Sequence, residues 1–133
     1  MSKITTIYQG KLKTKNLLVD SNTELITAAP NDDNGDFFSP TDLLATAIVS
    51  CIFTISGMAA ETSGFSIEGA NAVTTKKMTT TPPRRLDEIE IIFDFSMCNL
   101  NEKQQNIVKR TADTCPVALS LHPDIKKNIT FNF

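Results

Sequence analysis

Two of the three cysteines, Cys51 and Cys115, sit in stretches with helical patterning, Ser39-Pro40-Thr41-Asp42-Leu43-Leu44 leading to the first and Cys115-Pro116-Val117 opening at the second. Paired thiols suit peroxide reduction. A thiolate attacks one peroxide oxygen and becomes a sulfenic acid, and a second thiol condenses with it before further oxidation makes the loss irreversible. Closing the pair requires Cα atoms within roughly 4.4 to 6.8 Å, a condition two facing helices can meet. The ordinary alternative is that both are apolar fillers, because free cysteine is among the most buried residue types.

A thiol of pKa about 8.5 is only about 3% ionised at pH 7, so a fast nucleophile wants a cationic neighbour or a helix N-terminus. Cys51 falls about three turns into its helix, beyond the first turn in which the dipole acts. The charge must come from another element. Arg84, Arg85 and Arg110 are the only arginines. Arg84-Arg85 follows Pro82-Pro83 on a connection able to fold back over a site, and Lys11, Lys13 and Lys15 are further candidates. At Cys115, Pro116 removes a helix hydrogen bond, which predicts a kink and room for the thiol to swing, as a resolving residue needs.

Other reactive side chains fit quieter roles. Cys98, in Ser96-Met97-Cys98-Asn99, has no partner motif and reads as structural. His122, before Pro123, suits a helix C-terminal contact better than general-base work. One histidine and three scattered cysteines, without Cys-x-x-Cys or His-x-x-x-His spacing, do not supply a zinc ligand set. Phe37, Phe38, Ile52, Phe53 and Met58 are candidates for an apolar pocket, although most such residues build cores. Gly35 is a turn residue with no phosphate-loop context.

The elements that position these residues follow from the hydrophobic pattern. Ile4 to Tyr8, Leu12 to Val19 and Thr23 to Thr27 predict a three-stranded meander punctuated by Gly10 and Asp20-Ser21-Asn22. A polar loop from Pro30 to Phe38 ends at a helix start, with Ser39 as N-cap, Pro40 in the first turn and Asp42 completing a capping box. Leu44, Ala47, Ile48, Cys51, Ile52, Ile55 and Met58-Ala59 then recur at helical spacing until Ser63-Gly64, a helix of about six or seven turns. It carries no charge between Asp42 and Glu61. Such a helix belongs at the centre of a domain or of a dimer.

Phe65 to Met78 and Leu86 to Phe95 predict paired strands, the second with Ile89, Ile91, Phe93 and Phe95 on one face. Asn101 caps a second helix from Glu102 to about Leu121, striped with Ile107, Val108, Ala112, Cys115, Ala118 and Leu119. Ile129, Phe131 and Phe133 form a last strand. The order β-β-β-α-β-β-α-β is an α+β arrangement, an antiparallel sheet wrapped around two long helices.

A length of 133 residues suits a single domain over 1–133, and a net charge of −2 with mixed signs gives no basic footprint for nucleic acid or anionic membranes. No segment is expected to reach the roughly 20 apolar residues of a membrane span, and the first ten residues lack a signal-peptide pattern. A cytoplasmic protein with free thiols is the expectation.

Ser39 through Cys51 (Ser-Pro-Thr-Asp-Leu-Leu-Ala-Thr-Ala-Ile-Val-Ser-Cys) resembles the first cysteine helix of the OsmC/Ohr proteins, and Ala112-Asp113-Thr114-Cys115-Pro116-Val117 resembles their second. The likeness spans nearly the whole chain. It implies an intertwined homodimer with the long cysteine helix central and two sites at the subunit interface. It also implies reduction of organic, fatty-acid-type hydroperoxides, with Cys51 peroxidatic and Cys115 resolving, by a dithiol donor that is often lipoyl-linked and without bound cofactor or metal. Two positions depart from the family's hydroperoxide reductases: Thr41 replaces a glutamate after the proline, and the N-terminal strands contain no arginine. Pro83-Arg84 is similar to a pair in a less characterised OsmC-like branch and makes Arg84 the alternative cation. Those departures keep a second expectation open, a non-catalytic or weakly active module binding an apolar small molecule.

Overall fold

The computed structural model describes residues 1–29 and 37–133. Most of the expected polar loop, including its turn at Gly35, lies outside the described residues. The elements are β1 (Ile4–Gly10), β2 (Lys13–Leu18), β3 (Thr23–Ala28), α1 (Pro40–Thr62), β4 (Asn71–Met78), β5 (Leu86–Asp94), α2 (Glu102–Ala112), α3 (Pro116–Ser120) and β6 (Lys126–Asn132), with a 3-10 turn over Ser96–Cys98. They divide into two compact units, Met1–Leu44 and Ala45–Phe133.

The first unit is the expected antiparallel meander, β1 against β2 against β3. Its first hairpin turns at Lys11 and Leu12, whose φ angles of 49° and 59° are the paired left-handed conformations that match strand twist. Thr14 and Thr27 face each other across β2 and β3, their hydroxyls 2.6 Å apart. Ile4, Ile7, Tyr8, Leu12 and Leu25 are all exposed.

The start of α1 is the predicted capping box. The Ser39 hydroxyl accepts from the Asp42 N–H at 3.2 Å, and the Asp42 carboxylate accepts from the Ser39 N–H at 2.9 Å and from its hydroxyl at 2.7 Å. Its far end closes through Gly64, at φ 77°, with Phe65 N–H donating to the Ala60 carbonyl and Gly64 N–H to the Glu61 carbonyl, both pairings of a Schellman motif. Both stops were encoded locally, and the helix runs unbroken between them.

In the second unit α1 lays Ala45, Ile48 and Ile52 into a core with Ile89, Ile91, Phe93 and Phe95 of β5 and its C-terminal extension, Val108 and Ala112 of α2, and Cys115. The period-2 face of β5 is the one predicted. Phe53 meets Phe93 edge to face at 4.9 Å, and Phe93 stacks on Phe131 at 5.3 Å. Aromatic contacts of this kind add to area burial and hold the helix against the sheet.

Four expectations are corrected. The sheet is mixed, β4 antiparallel to β5 but β6 parallel to it, because a helical crossover returns the chain to the end at which β5 began. The second helix is two: α2 stops at Ala112 and α3 starts at Pro116, so the expected kink is a full break. Residues Phe65 to Ala70 turn rather than extend, with Glu68 N–H on the Ser66 hydroxyl, Ala70 N–H on the Ile67 carbonyl and Gly69 at φ 89°. Finally, α1 does reach membrane-spanning length and hydropathy, 23 residues with a mean hydropathy of 2.0 over its most apolar stretch. Interspersed Ala, Ser, Thr and Gly hide that run from a search for continuous large apolar residues, but no charge interrupts it. One face is packed in the core described above.

Candidate active site

Cys51 lies at the middle of α1, one residue before the core residue Ile52, and is half-buried. The rigid helix and its anchored inner face fix the position of the sulfur. Cys115 is fully buried, in the same apolar cluster as Ile48, Ile52 and Val108. Its backbone is extended, at φ −60° and ψ 113°, and it is the N-cap of α3. The Ala118 N–H donates to Cys115 Sγ at 3.4 Å, and the Leu119 N–H donates to the Cys115 carbonyl at 3.0 Å.

The cap was legible in principle but missed. Proline favours the first position of a helix as strongly as it breaks an interior, and a Cys-Pro step after a polar Asp-Thr pair fits the start of a new helix. The consequence for the thiol is the opposite of freedom, because Cys115 is enclosed and hydrogen-bonded where a swing was expected.

The two cysteines come together. Burial pushes the Cys115 thiol up from its ordinary range, the Ala118 N–H opposes that, and a hydrogen bond with Cys51 and the charge on Cys51 raise it further. The proton therefore stays on Cys115, where it can be donated towards the Cys51 sulfur. Both thiols are free. A nucleophile reachable from outside with an enclosed, protonated thiol beside it is an arrangement that can oxidise once and then close a disulfide.

Arg84 is exposed on the connection between β4 and β5, which Thr79 braces by accepting from the Arg85 N–H and donating to the Pro83 carbonyl, each at 3.1 Å. Arg85 also donates to the Leu86 carbonyl at 3.3 Å. Cys98 donates to the Glu68 carbonyl at 3.6 Å and accepts from the Ala70 N–H, so it pins the 65–70 turn, a structural role as expected; burial raises its pKa. His122 does not cap a helix: its Nδ1 accepts from the Asp124 N–H at 3.2 Å in a turn after α3. Of the apolar candidates, Ile52 and Phe53 belong to the core packing, while Phe37, Phe38 and Met58 are exposed. Among the described residues no three His, Cys, Asp or Glu side chains converge as a metal site.

A family model described as OsmC-like protein matches residues 32–130. The chain belongs to the OsmC family. A structure from Psychrobacter arcticus 273-4, of a protein named for osmotic stress induction and detoxification response, is 43% identical over 99% of this chain and 96% of that one, with a TM-score of 0.91. The organic hydroperoxide resistance protein OsmC of Legionella pneumophila is 14% identical, with a TM-score of 0.76 over 100% and 97% of the two chains. The OhrB organic hydroperoxide resistance protein of Bacillus subtilis is 14% identical, with a TM-score of 0.73 over 99% and 98%. No curated protein matches the chain. The OsmC α+β fold is thus shared with proteins of organic hydroperoxide resistance, and the cysteine pair stands within the matched span.

Proposed function

We propose that this OsmC-family chain is a thiol-dependent peroxidase that reduces organic hydroperoxides, with Cys51 attacking the peroxide and Cys115 resolving. One observation carries the proposal: the two sulfurs interact, and only Cys51 has open surface. The Cys51 thiolate takes one peroxide oxygen and releases an alcohol. Cys115 then displaces water from the sulfenic acid, and an external dithiol of the lipoyl type in the cytoplasm restores both thiols.

Arg84 is the proposed cation for Cys51, since it is an exposed guanidinium on a braced connection and the N-terminal strands carry no arginine. A homodimer belongs to the same proposal. Only 28% of the most apolar stretch of α1 is buried within one chain, which favours a second copy as the cover for the rest. Sedimentation at micromolar concentration tests that part, and a monomer would overturn it.

The chemistry is tested by stopped-flow oxidation with cumene hydroperoxide. Cys51 should oxidise far faster than a free thiol at the same pH, followed by a Cys51–Cys115 disulfide after one equivalent; a background rate sinks the peroxidase. The second reading, an apolar-ligand module with unreactive thiols, rests on Thr41 at the position where the family's reductases carry glutamate. Native mass spectrometry showing a stoichiometric small molecule on unreactive protein would favour it.

A further inference from the structure

Any disulfide between Cys51 and Cys115 must be reopened from one of its two ends, and thiol–disulfide exchange is in-line: the attacking, central and leaving sulfurs approach a straight line. An attacker on Cys115 would have to arrive from behind that sulfur. Cys115 has no exposed surface and sits among Ile48, Ile52, Val108 and Ala112. A groove of about 420 Å³ does run beside α3, but its walls here are Ala112 and Ala118, and Cys115 does not line it. Cys51 is half-buried, so of the two residues it alone offers open surface to an attacker. Association with a second copy only removes exposed surface. It therefore cannot open Cys115.

We infer that the external dithiol attacks Cys51 and not Cys115: its thiolate bonds to Cys51 Sγ, the Cys51–Cys115 bond breaks, and the electron pair leaves on Cys115 Sγ. The inference rests on the pairing proposed above and deepens it by naming the sulfur that receives the reductant. The departing Cys115 sulfur meets the Ala118 N–H and then takes up the proton given up by the donor's second thiol. That second thiolate displaces Cys51 from the mixed disulfide, closing the donor into a cyclic disulfide. Two electrons have passed to the protein, and each protein sulfur ends with the proton of one donor thiol. Burial of Cys115 favours its return to the neutral thiol.

The test separates this inference from the peroxidase itself. The full chain carrying Cys98→Ser is oxidised with diamide, which forms the disulfide without any peroxide chemistry. It is then treated with dihydrolipoamide bearing one S-methyl group, unable to complete the second step. After acid quenching and alkylation, peptide mass spectrometry should find the adduct on Cys51 and the alkyl label on Cys115, in at least tenfold excess over the reverse. An adduct on Cys115, or an even mixture, overturns the inference, and so does failure of diamide to link the pair. If diamide gives the disulfide and the Cys51 adduct while one equivalent of cumene hydroperoxide gives no disulfide, the peroxidase proposal falls and the direction of reduction stands.

Discussion

Cys51 and Cys115 meet at one point but arrive there by unlike routes. Cys51 rides in a continuous helix of 23 residues whose inner face is anchored in the core, and the residue itself is half-buried. Cys115 stands at a break between two helices, enclosed, with its sulfur capping the second. The difference teaches that motif alone does not assign a thiol its role. Open surface marks the sulfur a substrate can reach, and burial marks the one that keeps its proton.

The most severe way to break this comparison is to remove each sulfur in turn. Cys51→Ser should lose hydroperoxide reduction by about 10³-fold or more, since the attacking atom is gone. Cys115→Ser should keep the rate of the first oxidation within about tenfold but accumulate sulfinic acid at Cys51 in excess peroxide, because nothing intercepts the sulfenic acid. Stopped-flow and intact-mass measurements read both. Equal loss of the first oxidation in the two variants would erase the assignment of roles.

The two caps offer a smaller test. Ser39→Ala removes a hydroxyl that joins both halves of the α1 box, and should cost about 1 kcal/mol in denaturant unfolding. Cys115→Ser replaces one N-cap acceptor with a better one, and any change from the cap alone should stay within about 0.5 kcal/mol. A loss at Cys115→Ser larger than at Ser39→Ala would show that its burial among apolar side chains outweighs its cap.

The same pair of proteins isolates a pH effect. Burial raises the Cys115 pKa in the folded state above its unfolded value. A group that holds its proton more tightly when folded contributes stability that is complete below the unfolded pKa, about 8.5, and is lost as pH rises through the folded value. The denaturation midpoint of the parent should therefore fall from pH 8 to 10 more steeply than that of Cys115→Ser under reducing conditions. Parallel profiles would contradict the shift.

What the sequence made legible was local in origin. Ser39 and Asp42 declare the α1 start three residues apart, and the alternation through Ile89, Ile91, Phe93 and Phe95 declares the inner face of β5, because each signal is complete within one element. The direction of β6 was not legible, since Ile129, Phe131 and Phe133 alternate identically whichever way the strand runs. Pro116 was ambiguous for a similar reason: the residue types that end one helix also begin another, and only the packing of Cys115 against the core of the sheet decides between a kink and a break. The pairing of the cysteines came from the flanking motifs. The enclosure of one and the openness of the other came only from tertiary structure.

The smallest expected effect falls on Arg84. A guanidinium that is exposed on a surface connection acts through water and salt, and such interactions are worth about 1 kcal/mol or less. Arg84→Gln should thus slow Cys51 oxidation by no more than about fivefold at low salt, and by less at 0.5 M salt, where parent and variant should converge. Because Cys115 keeps its proton for reasons of burial, that substitution should leave the resolving step unchanged, which rapid-quench measurement of disulfide formation from preformed sulfenic acid can show. A loss of 10²-fold or more, insensitive to salt, would mean that Arg84 closes onto Cys51 in a dry site, and the contrast between an open and an enclosed sulfur would then describe only the resting state.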